Sequence, residues 1–308
     1  MVSKPTVFVV GAGGSIPYGF PSGQSLTREI VSSLTVNMVH TPLGKLLLEC
    51  GEKEASLDRF GRALMLSGQV SIDAFLERRG EFADLGKLVI AAAIGPKENE
   101  GLFLSAPDDA NWYRYLFNRL SENLKRGDAM ERLDIVTFNY DRSLEHFLYT
   151  AFQHSFGKDD AATRSLLSKL RVIHVHGMLG ELPLFARAGR SPRAYGLSRP
   201  EAIVAAAQSI RIVHEAAESD AEFVEARRVL GLAQRICFLG FGYGRDNVQR
   251  LLGPWIDNST PPAIVGTNFG LTKAESNEAE SLLQGKVEFL GGSYNCLSFL
   301  RERVNLIR

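Results

Sequence analysis

Six short runs rich in β-branched and aromatic residues punctuate the chain: TVFVV (6–10), LDIVTF (133–138), LRVIHV (170–175), RICFLGF (235–241), PAIVGTN (262–268) and KVEFLGG (286–292). Each is bounded by glycine or a polar residue, and most are apolar on both faces. That pattern fits strands of a parallel sheet buried between helices, whereas a half-exposed strand would alternate. Between the runs lie stretches of helical periodicity, among them SLTREIVSSL (25–34), SIDAFLERR (71–79), NWYRYLFNRLSENLKR (111–126), RSLEHFLYTAF (142–152) and AESNEAESLLQ (274–284). Alternating strands and helices predict an α/β fold: a Rossmann-like, doubly wound parallel sheet of about six strands. Ligands in such sheets bind at the carboxyl ends of the strands.

The spacing of the runs is uneven. Residues 24–132 are too many for one crossover and read mostly helical, so a helical module is expected to be inserted there. A second interval, 179–234, holds the basic loop RAGRSPRAYGLSRP and another helical stretch. A single domain over 1–308 is expected, with its Rossmann-like core drawn from about 1–23, 133–178 and 235–308.

Composition narrows the class. Apolar residues make up 45% of the chain, enough for a substantial core. The 35 basic and 35 acidic residues balance, so net charge gives no sign of nucleic-acid or membrane binding. Cys50, Cys237 and Cys296 are odd in number and form no CxxC pair, which argues against a disulfide framework or a cysteine zinc site. No metal is expected. The apolar run at the start is too short for a signal peptide, and no window reaches the roughly 18–20 apolar residues of a membrane span. A soluble, cytoplasmic protein is expected.

Polar or glycine residues close every predicted strand. After the first comes GAGGSIPYGFPSG (11–23), in which Gly11 and Gly13 allow close backbone approach to a ligand. The third glycine of a dinucleotide fingerprint is not at its usual place, and the prolines imply an ordered loop over the ligand instead of an immediate helix. DIVTFNYDRSLEHF (134–147) puts Asn139 and Asp141 at the second strand end, Asn139 able to donate and accept hydrogen bonds and Asp141 able to cap a helix. In VIHVHGM (172–178), His174 and His176 alternate along a strand and so are expected to share a face. His174 reads as a core histidine; His176, beside Gly177, reads as a general base at the carboxyl edge. FLGFGYGRDN (238–247) offers Gly240, Gly242 and Gly244 to a phosphate, Asn268 suits a ribose hydroxyl, and the ring of Tyr294 an adenine.

Taken in order, GAGGSIPYGFP, TFNYD, VHG, a glycine-bearing strand end and GTN resemble the sirtuin superfamily over nearly the whole chain, in particular its bacterial zinc-less, antiphage branch. The family pattern GAGxSxxxGxP falls on Gly11, Ala12, Gly13, Ser15, Gly19 and Pro21; TxNxD falls on Thr137, Asn139 and Asp141; HG falls on His176 and Gly177. The resemblance implies that these positions bind NAD+, that Asn139 and Asp141 lie by the nicotinamide ribose, and that His176 is the base. Protein-deacylating sirtuins carry an acidic residue and an arginine where Ser22 and Gln24 stand here, and two cysteine pairs for zinc that this chain lacks. The expected activity is therefore hydrolysis of NAD+, as substrate, to nicotinamide and ADP-ribose. Its setting would be abortive infection, with a homo-oligomer or a second protein such as an ATPase or sensor as partner. Deacylation and a non-enzymatic NAD- or ADP-ribose-binding module stand as alternatives. A Rossmann oxidoreductase is disfavoured, because no acidic residue ends the expected second strand.

Overall fold

The computed structural model describes residues 4–122, 128–186, 192–212, 220–252 and 262–304. Parts of the expected helix over 111–126, of the basic loop (187–191) and of the stretch after 201 (213–219) lie outside them. Six strands form one sheet: β1 Thr6–Val10, β2 Leu133–Thr137, β3 Arg171–His174, β4 Arg235–Leu239, β5 Ala263–Gly266 and β6 Val287–Phe289. All pairings are parallel and the order is β3-β2-β1-β4-β5-β6, the doubly wound arrangement predicted from the alternation of runs.

The register aligns the strand ends. Val10 stands opposite Thr137 on one side and Leu239 on the other. Gly11, Phe138 and Gly240, the next residue of each segment, therefore leave the sheet at one level. The chain reverses its direction of travel across the sheet between β1 and β4, and that reversal opens a crevice at the strand ends.

Side chains of β1 alternate between two cores, as strand geometry requires. Phe8 and Val10 join Leu133, Ile135, Cys237 and Leu239 on one face. Val7 and Val9 join Val136, Ile173, Ile236, Phe238 and Ile264 on the other. Each such fully buried side chain contributes about 1.5–3 kcal/mol of transfer free energy. The first face is covered by α1 Gly23–Thr35, α2 Pro42–Glu49, α3 Glu54–Leu66, α4 Ile72–Arg78, α5 Ala83–Ile94, α6 Gly101–Ser105, α7 Trp112–Ser121 and, after α8 Asp128–Glu131, by α9 Ser143–Phe156. Beyond α10 Asp160–Leu167, α11 Pro200–Ala207 adds Ile203, Ala206 and Ala207 to that core, and the last helix, α15 Cys296–Arg303, adds Leu297, Phe299 and Leu300. The second face is covered by α12 Ala221–Leu232, α13 Arg245–Leu252 and α14 Lys273–Leu282.

The long helical stretch is built locally in the usual way. In α1 the Ser22 hydroxyl accepts the Ser25 amide at 3.2 Å and so caps the helix, while Leu26, Ile30 and Leu34 recur at helical spacing and are buried. Gly61 lets α3 pack closely on α1, since a Cβ there would lie 2.8 Å from that of Leu34.

One buried ionic cluster ties the loops around the site. Arg142, fully buried, meets both carboxylate oxygens of Glu98 at 2.9 and 2.6 Å and the carbonyls of Gly180 and Arg193 at 2.9 and 2.7 Å. The Arg193 guanidinium reaches the same carboxylate at 2.6 Å. The end of β2, the segment after α5 and the loop before α11 are thereby fixed to one another. Among the described residues no helix is long and apolar enough to cross a membrane.

Candidate functional site

The loop after β1 is held by its own backbone. It forms two short 3-10 turns, Ala12–Gly14 and Ile16–Tyr18, and α1 starts at Gly23. The amides of Gly14 and Ser15 bond back to Gly11 and Ala12, and the Gly13 amide donates to the Gly240 carbonyl at 2.9 Å. A Cβ on Gly11 would lie 2.6 Å from Gly240 O, and one on Gly240 would lie 2.1 Å from Gly14 N. Gly240 also has φ +57°, the left-handed region that disfavours side chains. The close approach expected of Gly11, Gly13 and Gly240 is therefore first an approach of two chain segments to each other, across the β1–β4 crevice. The Ala12 and Ile16 amides head the two turns, the positions that helical turns leave without an internal acceptor.

Asn139 locks into this loop. Its Nδ2 donates to Gly11 O at 3.1 Å and to Ser15 Oγ at 2.9 Å, and its backbone amide donates to Thr137 Oγ1 at 3.1 Å. Both amide protons are thus spent on the protein. Its Oδ1 is buried with no partner among the described residues. Sequence alone allowed Asn139 to donate or accept; the fold leaves it only an acceptor to offer. Asp141 accepts from the backbone amide of Ser143 at 3.1 Å and from its hydroxyl, which makes it a turn-former at the start of α9. Burial pushes its carboxyl above the usual range, although Ser143 and Ser15 hydrogen bonds oppose that shift. Ser15, Tyr113, Thr137, Asn139 and Asp141 surround a cavity of about 10 Å³, close to the least that admits one water.

The two histidines part company. β3 ends at His174 and the chain turns at 175–176, so the expected shared face does not form. His174 points to α9: its Nδ1 lies 2.9 Å from the Asn139 carbonyl and its Nε2 2.6 Å from Glu145 Oε1. Burial disfavours its imidazolium, but the charge and hydrogen bond of Glu145 outweigh that and raise its pKa. His176 packs edge-on to Phe138 and Phe223, ring centroids 5.3 and 5.8 Å apart, on the opposite face of the sheet. Its Nδ1 is buried without a partner among the described residues. Burial holds its pKa below the ordinary histidine value, so the ring is neutral and able to accept a proton. Gly177 has φ +71°, and a Cβ there would meet Ser209 O at 2.0 Å.

At the ends of β4 to β6 the surface is open. A side chain at Gly242, Gly270 or Gly291 would meet nothing within 4 Å, and Phe269 is 64% exposed. Asn268 is buried; its Nδ2 donates to Ser276 Oγ at 3.1 Å and its Oδ1 has no described partner. Tyr294 is partly buried against the first core and makes no described contact with the Asn139 cluster. Gly11, Gly13, Ser15, Thr137, Asn139, Asp141 and Gly240 form one connected group, whereas Gly242, Asn268 and Tyr294 follow β4, β5 and β6 and make no described hydrogen bond to it.

Several participants escaped the sequence reading. The Trp112 indole donates to Gly14 O at 2.8 Å, and the Tyr18 ring stacks on Tyr113 at 3.6 Å between centroids. The Tyr113 hydroxyl bonds Ser143 at 2.8 Å. Asp73 of α4 accepts from Tyr140 at 2.5 Å, and the Thr267 hydroxyl accepts the Gly240 amide at 2.9 Å. Within NWYRYLF the aromatics carried only a helical-core signal; that three of them, Trp112, Tyr113 and Tyr115, bear polar atoms, which need partners when buried, was the usable hint. Among the described residues no group of three or more His, Cys, Asp or Glu side chains is placed to hold a metal ion. No protein-family model matches the chain, and no curated protein matches it significantly.

Proposed function

We propose that the chain hydrolyses the nicotinamide glycosidic bond of NAD+. The observation that carries this reading is that two buried, unpartnered acceptor-competent atoms, Asn139 Oδ1 and His176 Nδ1, follow the carboxyl ends of the neighbouring strands β2 and β3, on opposite faces of a doubly wound sheet. Asn268 Oδ1, farther along, is a third. Buried polar atoms are nearly always satisfied, so three orphans that all follow carboxyl ends of strands in one parallel sheet favour a polar ligand at that edge. The likeness of GAGGS, TFNYD and VHG to the zinc-less sirtuins names that ligand as NAD+.

In the reaction the C1′–N bond breaks with its electron pair leaving on nicotinamide, which departs neutral. A water oxygen then bonds C1′ of the oxocarbenium-like ribose and gives up a proton. Asn139 Oδ1 accepts a hydrogen bond from that water or from a ribose hydroxyl, which turns the water's lone pair toward C1′. Neutral His176 takes the proton. Asp141 and Ser15 keep Asn139 in place. Gly242, Asn268 and Tyr294, after β4, β5 and β6, take the ADP-ribose portion. Ser22 and Gln24, where deacylases carry an acid and an arginine, favour free ADP-ribose as product over an acylated one.

The small cavity beside Asn139 favours a second reading, a module that binds NAD+ or ADP-ribose and acts through a partner, because a ribose needs more room than one water. Both readings accord with a role in antiphage abortive infection beside a sensor or ATPase, or as a homo-oligomer. NAD+ consumption by the purified chain, with nicotinamide and ADP-ribose quantified, separates them. Asn139→Ala and His176→Ala, shown to be folded, are expected to lower kcat at least a hundredfold. Undiminished turnover in both removes these residues from the chemistry, and binding without turnover in the wild type supports the module.

A further inference from the structure

A cavity of about 500 Å³ lies beyond β3, the edge strand, away from the glycine loop. That volume is within the range of small-molecule sites. Residues 168–172 run along one side, α9 and α10 contribute Leu148 and Leu167, and the 178–186 segment contributes Leu182 and Phe185. The lining is thus apolar over much of its extent, with ionic groups set into it.

Arg142, Arg164, Lys169, Arg171 and His174 share the lining with two carboxylates, Glu145 and Glu181. Arg142 is paired with Glu98, Lys169 with Glu131, Arg171 with Asp134 and Glu225, and His174 with Glu145. Arg164, exposed on α10, has no ion-pair partner among the described residues. An apolar wall beside this one unpaired guanidinium suits an apolar body with one anionic group.

The same cavity touches the Asn139 cluster. Glu145 and Val172 line both this cavity and the water-sized one beside Asn139, so they are the partition between the two. His174 spans that partition, bonded to Glu145 at 2.6 Å on one side and to the Asn139 carbonyl at 2.9 Å on the other. We propose that the cavity binds an amphipathic anion and that the bound anion, drawing His174 away from the Asn139 carbonyl, displaces Asn139 and slows turnover. The effect on turnover rests on the NAD+-cleaving reading above; the binding and the displacement do not.

The test uses the full chain and 8-anilinonaphthalene-1-sulfonate, an apolar anion whose fluorescence rises on binding, with near-ultraviolet circular dichroism to confirm native packing. Saturable binding is expected, displaced by octanoate and not by octylammonium, and weakened at least tenfold by Arg164→Glu or Phe185→Ala. Equal displacement by both competitors, or full binding by Arg164→Glu, overturns the site. Octanoate is further expected to shift the side-chain amide resonance of Asn139, identified by its loss in Asn139→Ala, and to lower NAD+ consumption at least twofold in wild type but not in Arg164→Glu. An unmoved resonance overturns the coupling. A moved resonance in a chain that never consumes NAD+ upholds the coupling and overturns only the NAD+-cleaving reading.

Discussion

Replacing three glycines separately by alanine distinguishes backbone packing from ligand approach. In Gly240→Ala the new methyl would lie 2.1 Å from Gly14 N and 2.4 Å from Gly13 C, on a residue at φ +57°. The left-handed conformation costs alanine about 1–2 kcal/mol, and relieving a clash against backbone, which cannot swing aside as a side chain does, adds about 1–3 kcal/mol. The sum is about 2–5 kcal/mol. At about 2.1 cal/mol/K of unfolding entropy per residue, a 308-residue chain loses roughly 1.5 °C of Tm per kcal/mol, so the expected drop is about 3–8 °C. Gly13→Ala has no φ penalty and its nearest contact is longer, 2.8 Å, so a smaller loss of about 1–3 kcal/mol is expected. Gly242→Ala meets nothing within 4 Å and should stay within about 0.5 kcal/mol of wild type. If its backbone approaches a phosphate, KM for NAD+ rises while Tm holds. Thermal and urea unfolding followed by circular dichroism, with NAD+ kinetics on the same samples, give both readouts. A Gly240→Ala protein as stable as wild type would refute the packing account of this glycine.

Glu98→Gln leaves the Arg142 and Arg193 guanidiniums buried without their shared counter-charge and should cost about 3–5 kcal/mol in urea unfolding. Trp112→Phe strips the donor from the Gly14 carbonyl, with an expected loss of about 1–3 kcal/mol and lower turnover through displacement of Ser15. For His176 the folded pKa is depressed, so between that value and the unfolded value of about 6.5 the unfolded chain binds a proton that the native one does not. Stability referred to His176→Gln should therefore fall as pH drops below about 6.5, and the acidic limb of kcat/KM should lie below that value too; a limb at higher pH would exclude His176 as the base.

Much of the fold was written in local sequence. Each of the six apolar runs contains a strand, and residues at the strand ends were assigned to the crevice because a parallel sheet puts loops and helix starts there. Strand limits shifted by a few residues where the end of pairing depends on neighbours: the run 170–175 stops at His174, and that one turn sends His176 to the other face.

Local sequence specifies a set of parts: strands buried on both faces, a helical stretch too long for one crossover, and polar or glycine residues at each strand end. These follow from short-range periodicity and from the conformational limits of single residues. What those parts touch is set by how they pack. Gly11 and Gly13 meet Gly240 more than two hundred residues away, Trp112 holds Gly14, and His174 links Asn139 to Glu145 and to a cavity beyond the sheet edge. Such contacts depend on strand order and on which helices cover which face. Two donors of Asn139 are consumed there and one acceptor is left, a chemical property that the residue acquires from its neighbours and does not carry in its own type.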